Sequence, residues 1–238
     1  MQERLNIQER PDIQERLDIQ EQPGVQEQLD TQERPDMQEQ PELQKQQECS
    51  SGNVVLIGFM GTGKSSVGRR LAARLGFRYL DTDQEIERVT GMSIVEIFTH
   101  HGEARFRAEE HEMAKTLGAL RGQVVATGGG IVLNPDNLTV LREQGLIIAL
   151  TARPDVVWQR VAHRTHRPLI NQSITVEEIA AMMERRMPYY QSADVTIDTS
   201  DKTVREIVDQ LVDYLRRREA ERGERWLICQ TLAVEKGG

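Results

Sequence analysis

The sequence predicts an α/β protein in which helices cover both faces of a parallel β-sheet. Short apolar runs alternate with helix-length segments, which is the order of βαβ units. A glycine-rich loop also follows the first run directly and leads into a helical pattern. Because ligands of such sheets bind beyond the carboxyl ends of the strands, the residues after each run are the candidates for function.

The apolar runs mark the predicted strands, at residues 54–57, 79–80, 124–126, 146–150 and 195–197. Helical spacing of apolar residues predicts the helices 66–75, 83–89, 93–120, 135–144, 155–162, 176–190 and 203–218. Residues 51–218 are therefore expected to form one domain, and residues 219–238 a C-terminal extension.

Residues 1–50 form a repeat that is not expected to fold. A glutamine recurs every six residues from Gln2 to Gln44, and four prolines share the register of the apolar residues. A period of six scatters the apolar residues around a helix, and the prolines remove strand hydrogen-bond donors. The segment also lacks aromatic residues, so burial cannot offset its ordering entropy. We expect a disordered acidic extension; a partner-docking or spacing arm is the alternative.

The charge of the chain belongs to this extension. The 238 residues carry a formal net charge of −8, and residues 1–50 hold 13 Asp and Glu side chains against 5 Lys and Arg. The remainder is formally neutral, which argues against a nucleic-acid partner. No apolar run reaches the roughly 18–20 residues of a membrane helix, and no basic-then-apolar leader opens the sequence. With Cys49 and Cys229 expected as free thiols, these features predict a cytoplasmic protein.

The loop at residues 58–65 reads GFMGTGKS and matches the phosphate-binding pattern G-x-x-x-x-G-K-[ST] in full. In such a loop the backbone N–H groups and the helix amino end hold phosphates, the lysine reaches the outer phosphates and the hydroxyl binds Mg²⁺. The predicted nucleotide-binding residues of the loop are Gly61, Thr62, Gly63, Lys64, Ser65 and Ser66. The guanine-recognition pattern N-K-x-D is absent from the sequence, so a compact phosphotransferase with a small acceptor remains.

Two carboxylates follow the second strand. Asp81 and Asp83 are expected to project the same way from an extended segment, next to the phosphate loop. One acid could hold Mg²⁺ through water, and the other could take a proton from an acceptor hydroxyl. The alternative is that this segment serves as a helix N-cap.

Three further features lie on the acceptor side. Arg107 and Glu110 are spaced to pair on one helix face, either to orient the guanidinium or as an ordinary surface pair. The glycines at 128–130 follow the third strand and favour either close approach to a ligand or a flexible turn. Arginines at 160, 164, 167 and 186 could neutralise transferring phosphates, or form a solvated basic face.

The motifs GFMGTGKSSVGRRLA, LDTD, GEARFRAEE, TGGG, RPLI and RRMPYY, in this order, resemble the shikimate kinase family over residues 52–215. The resemblance implies a P-loop, nucleoside-monophosphate-kinase-like fold with a five-stranded parallel sheet and a mobile lid at about residues 160–174. It also implies Mg²⁺-dependent transfer of the ATP γ-phosphate to the 3-hydroxyl of shikimate. We expect a monomer that acts on small molecules.

The resemblance further assigns roles by matched position. Asp83 is implied as general base, with Lys64 and Arg167 at the transferring phosphate, and Asp81 as the acid near the metal. The implied substrate-binding residues are Asp83, Arg107, Gly128, Gly129, Gly130 and Arg186, and Arg160 and Arg167 lie on the nucleotide side. Lys202 is expected near the adenine, although its loop lacks the proline that the family often carries. The alternatives are a kinase of another small hydroxy acid, such as gluconate, and a silent nucleotide-binding module.

Overall fold

The computed structural model describes residues 52–143, 145–161, 174–223 and 226. The predicted N-terminal extension and residues 162–173 of the predicted lid, which include Arg164 and Arg167, lie outside these residues. So does most of the predicted C-terminal extension. No helix within the described ranges is long and apolar enough to cross a membrane.

Five parallel strands form one sheet in the order β2-β3-β1-β4-β5. The strands are β1 (Asn53–Ile57), β2 (Arg78–Asp81), β3 (Gln123–Ala126), β4 (Gly145–Thr151) and β5 (Val195–Asp198). The helices are α1 (Lys64–Leu75), α2 (Thr82–Thr90), α3 (Ile94–Gly118), α4 (Pro135–Glu143), α5 (Pro154–Val161), α6 (Val176–Tyr190) and α7 (Val204–Arg222). The predicted fold class is thereby confirmed.

The core lies on both faces of the sheet because successive strand side chains point in opposite directions. On one face, Val54 and Leu56 of β1 pack with α1 and α7. On the other face, Val55 and Ile57 pack with α3, α4, α5 and α6. Burial on both faces explains why the central strands read as continuous apolar runs.

Two helices differ from their predictions. The predicted helix 93–120 contains a break at Gly102, whose φ of 79° and ψ of 173° are not helical. The last helix continues to Arg222, four residues beyond the predicted end at 218. Beyond it, Trp226 is only 5% exposed. It packs with the buried side chains on the sheet face that contains Val54 and Leu56, here called the α1–α7 cluster. Trp226 of the predicted extension therefore packs against the domain, whereas residues 220–223 are exposed.

Candidate active site

The phosphate loop connects β1 to α1 along the carboxyl edge of the sheet. Gly61 adopts a φ of 78°, and a Cβ atom there would lie 2.8 Å from Val161 Cγ1, so the turn requires glycine. Gly63 precedes the first residue of α1 and has no side chain to cap it. The amino end of α1 thus presents backbone N–H groups and partial positive charge to an anion.

Lys64 lies against the loop. Its Nζ atom donates hydrogen bonds to the carbonyl oxygens of Gly58, at 2.8 Å, and Phe59, at 2.9 Å. The residue is 8% exposed, so its ammonium group lies within the cavity that the loop encloses. A buried cation at the amino end of a helix makes this part of the cavity strongly suited to phosphate.

Asp81 joins the phosphate loop to the second strand. Its Oδ2 accepts a hydrogen bond of 3.0 Å from the Ser65 hydroxyl, and its Oδ1 accepts one of 3.2 Å from the backbone N–H of Asp83. Asp81 is therefore the N-cap of α2, as the alternative interpretation of this segment proposed. Asp81 can cap the helix and contact Ser65 at the same time because Oδ1 accepts the N-cap hydrogen bond and Oδ2 accepts the hydrogen bond from Ser65.

The expectation that Asp81 and Asp83 both project from an extended segment is wrong. Only Asp81 ends β2, whereas Asp83 lies in the first turn of α2. The change of backbone direction at the N-cap carries the Asp83 carboxylate over Gly128, where a Cβ atom would overlap Asp83 Oδ1. The Asp83 side chain therefore approaches the backbone closely at Gly128, and the approach of a ligand to this turn stays a prediction.

Arg107 is held by two acids. Nη1 bonds Glu110 Oε2 at 2.5 Å, and Nη2 bonds Glu103 Oε1 at 2.7 Å. The Glu110 side chain is 1% exposed, so the pair is not the surface pair of the alternative interpretation. Burial raises the pKa of Glu110 to about 7, in spite of the lowering effect of Arg107.

Arg107 and Arg186 both contact the glycine turn at residues 128–130. A Cβ atom on Gly130 would overlap the guanidinium of Arg107. From the other side, Arg186 donates through Nη1 to the carbonyl oxygen of Gly129 at 3.2 Å, and its guanidinium lies 5.4 Å from the ring centroid of Phe59. Tyr190 donates to the same carbonyl oxygen at 3.3 Å. Two guanidinium groups thus face one turn of backbone.

Arg160 links the phosphate loop to the residues that follow β5. Its Nη1 donates to Gly61 O at 3.3 Å and to Thr199 Oγ1 at 3.0 Å, and Thr199 Oγ1 in turn donates to Thr62 O at 3.0 Å. The sequence interpretation did not assign Thr199. A threonine directly after the last strand, at the functional edge of the sheet, was the available signal. Lys202 donates to Asp198 O at 3.1 Å and lines the same cavity.

A single cavity of about 630 Å³ connects these parts. Its lining includes every described residue that the sequence analysis assigned to binding of the nucleotide, the metal or the substrate. Arg167 is the one predicted site residue outside the described ranges. These residues are Gly61, Thr62, Gly63, Lys64, Ser65, Ser66, Asp81, Asp83, Arg107, Gly128, Gly129, Gly130, Arg160, Arg186 and Lys202. Their shared location is observed, and their individual roles remain predictions.

Within the described ranges, no cluster of three or more His, Cys, Asp or Glu side chains is placed to hold a metal. The sheet order, the phosphate loop and the basic acceptor side define a P-loop phosphotransferase of the nucleoside-monophosphate-kinase-like fold.

Comparison with known proteins specifies the family. The family model of shikimate kinase matches residues 60–216. A shikimate kinase of Geobacter metallireducens is 48% identical over 166 residues, which cover 70% of this chain and 93% of the relative. One of Caldanaerobacter subterraneus is 44% identical over 160 residues, covering 67% and 94%.

A solved structure agrees. The shikimate kinase from Acinetobacter baumannii in complex with shikimate superposes with a TM-score of 0.67 and 32% identity, over 71% of this chain and 94% of that one. The chain belongs to the shikimate kinase family.

Proposed function

We propose that the protein transfers the γ-phosphate of ATP to the 3-hydroxyl of shikimate, which forms shikimate 3-phosphate and ADP on the route to chorismate and the aromatic amino acids. The observation that carries the proposal is the continuous cavity in which the phosphate loop at Lys64 meets two guanidinium groups, those of Arg107 and Arg186. Family membership and the shikimate bound to the Acinetobacter baumannii relative support the choice of acceptor.

On the nucleotide side, the backbone of residues 61–66 and Lys64 hold the β- and γ-phosphates of ATP. Arg160 lies on the nucleotide side of the loop, where its contacts with Gly61 and Thr199 support it. Lys202 lies near the adenine. The sequence match also assigns Arg167, outside the described residues, to the transferring phosphate.

The residues around Asp81 fit Mg²⁺. Ser65 donates its hydroxyl proton to Asp81 Oδ2, which leaves the lone pairs of its own oxygen for a cation. An ionised carboxylate has about four acceptor positions, of which described residues take only some, so Asp81 can also accept from a metal-bound water. Bound Mg²⁺ would neutralise charge on the phosphate oxygens during transfer.

On the acceptor side, Arg107 and Arg186 pair with the shikimate carboxylate, and the glycines at 128–130 allow the ring to approach the backbone. Asp83 accepts the proton of the 3-hydroxyl of shikimate while the oxygen of that hydroxyl forms a bond to the γ-phosphorus. The bond between that phosphorus and the bridging oxygen of ADP breaks in the same transfer, so protons and charges balance. The protein contributes positioning and charge stabilisation.

An assay of acceptor-stimulated ADP release tests the function. We expect release with shikimate and little with gluconate or with nucleoside monophosphates, since only shikimate should place both a carboxylate and a reactive hydroxyl correctly. Release with gluconate alone would assign the chain to another hydroxy acid. ATP binding without stimulation by any acceptor would indicate a silent nucleotide-binding module.

We further propose that the kinase domain, residues 51–218, acts as a cytoplasmic monomer on small molecules alone. The formally neutral charge of residues 51–238 and the location of both predicted substrate sites in one chain support this. Sedimentation of the full chain at the concentration used in the activity assay tests the oligomeric state, because a dimer there would contradict the proposed monomer.

A further inference from the structure

Tyr79 is a second hydroxyl donor to Asp81. Its OH group donates to Asp81 Oδ2 at 3.0 Å, the same oxygen that accepts from Ser65 at the same distance. Because Tyr79 and Asp81 are two residues apart on β2, their side chains leave the sheet on the same face. The alternation of the strand therefore places the phenol beside the carboxylate.

The ring of Tyr79 is held on two sides by α1. A Cβ atom on Gly68 would lie 2.9 Å from Tyr79 Cε2, so glycine at this position makes room for the ring. The guanidinium of Arg69 lies over the ring, 5.4 Å from its centroid. The side chain is half-buried and part of its contacts are with the α1–α7 cluster, so the hydroxyl has a fixed location.

We propose that Tyr79 is a positioning residue for the metal site, where its hydroxyl fixes the Asp81 carboxylate in the orientation that receives the Ser65 proton. The proposal rests on the proposed role of Ser65 and Asp81 toward Mg²⁺·ATP. Asp81 has its Oδ1 engaged by the N-cap bond to Asp83 and its Oδ2 by the two hydroxyls. Three donors from three elements, α1, β2 and α2, thus define one rotamer.

The consequence is specific to the metal complex of the nucleotide. With its carboxylate fixed, Asp81 keeps the Ser65 oxygen turned toward the phosphates and keeps an acceptor position for a metal-bound water. Without the Tyr79 hydroxyl, the carboxylate loses one charge-assisted hydrogen bond and can rotate about its terminal torsion. The backbone N–H groups that hold the phosphates are unaffected.

The test is Tyr79→Phe in the full chain, which retains the ring and removes the hydroxyl. Mn²⁺ replaces Mg²⁺, because its paramagnetism reports on the bound metal, and the non-hydrolysable analogue AMP-PNP replaces ATP. We expect affinity for Mn²⁺·AMP-PNP to fall about three- to tenfold, the scale of one hydrogen bond. Affinity for AMP-PNP in EDTA and the KM for shikimate should be unchanged, and the electron paramagnetic resonance spectrum of bound Mn²⁺ should broaden.

Tyr214→Phe is the matched control. Tyr214 also bears an arginine over its ring, Arg218 at 6.0 Å, and its hydroxyl also donates a hydrogen bond, to Asp194 O at 3.5 Å. Its hydrogen-bond partner Asp194, unlike Asp81, does not line the active-site cavity, so the Tyr214 variant should bind both forms of the nucleotide as the wild type does.

The outcomes separate the two proposals. If the wild type binds AMP-PNP equally with and without Mn²⁺, the proposed metal site itself is wrong. If the wild type prefers the metal complex and Tyr79→Phe keeps that preference, only the role of Tyr79 is wrong. If Tyr79→Phe lowers the affinity for AMP-PNP equally with and without Mn²⁺, or lowers only the melting temperature, the Tyr79 hydroxyl has a structural role and the proposal is wrong. In an Asp81→Asn background the Tyr79→Phe change should add less than twofold, and a full additional effect would contradict the proposal.

Discussion

Arg107 and Glu110 form an ion pair in which the acid is buried and the base faces the cavity. The Glu110 side chain is 1% exposed and the Arg107 side chain is 24% exposed. The distance between Arg107 Nη1 and Glu110 Oε2 is 2.5 Å. Among the described donors, none reaches the second carboxylate oxygen, Oε1. The carboxyl group therefore carries a desolvation cost in its ionised form that one guanidinium does not fully offset.

This pair predicts a pH dependence of stability. Burial raises the pKa of Glu110 from 4.5 to about 7, so the folded state binds more protons than the unfolded state between these values. The contribution of Glu110 to stability is thus complete below about 4.5 and is lost as the pH rises toward 7. Glu110→Gln should remove this component, so the difference in melting temperature between wild type and variant should change across that interval.

Glu103→Gln is the matched control for this prediction. Glu103 also pairs with Arg107, at 2.7 Å, but its side chain is 62% exposed. Its replacement should leave the pH profile of the melting temperature as it is in the wild type. A flat difference between the wild type and Glu110→Gln would show that Glu110 titrates as an ordinary exposed glutamate.

Asp83→Asn tests the general base. The amide cannot accept the 3-hydroxyl proton, and loss of a general base typically costs about 100- to 10,000-fold in turnover. We expect kcat to fall on this scale while the melting temperature stays within a few degrees, since the amide nearly preserves the shape. Steady-state kinetics with shikimate and thermal melting check both parts. A kcat within tenfold of the wild type would remove Asp83 from the mechanism.

Gly130→Ala tests the close approach of Arg107 to the glycine turn. The new methyl group would occupy the place of the guanidinium, which must therefore move. We expect the KM for shikimate to rise about tenfold or more, because one charge-assisted contact with the carboxylate is lost. The KM for ATP serves as the internal control and should remain the same. An unchanged KM for shikimate would separate Arg107 from carboxylate recognition.

A variant that begins at Ser51 tests the role of the N-terminal repeat. Because the repeat holds the whole formal charge of −8 and none of the predicted site residues, its removal should leave kcat and both KM values within twofold. The comparison with the full chain at two salt concentrations controls for electrostatic effects. A larger change in turnover would show that the repeat acts on the active site.

The sequence predicted the architecture well because local patterns determine it. Buried parallel strands read as apolar runs, and the phosphate loop fixes where the first strand ends and the first helix begins. The shared edge of the sheet then brings residues from distant motifs together, which is why Lys64 and Asp83 could be assigned to one cavity; the assignment of Arg186 came from the family resemblance.

Other features depend on tertiary packing that no local pattern encodes. The break at Gly102 interrupts an otherwise helical pattern, and glycine alone does not distinguish a tolerated helical residue from a kink. The burial of Glu110 depends on the neighbouring α2 and the glycine turn, so its spacing from Arg107 indicated only a pair. The contact between Tyr79 and Asp81 depends on side-chain rotamers around Gly68, and Trp226 packs on α1 and α7 from beyond the predicted domain.

The central claim is that ATP and shikimate lie end to end in one cavity, and a crystal structure with ADP and shikimate tests it most directly. We predict that an Asp83 carboxylate oxygen lies about 2.6–3.2 Å from the 3-hydroxyl and that Arg107 and Arg186 contact the shikimate carboxylate, with the ADP phosphates on the loop at Lys64. Shikimate bound elsewhere, or turned so that its carboxylate faces Asp83, would contradict the account.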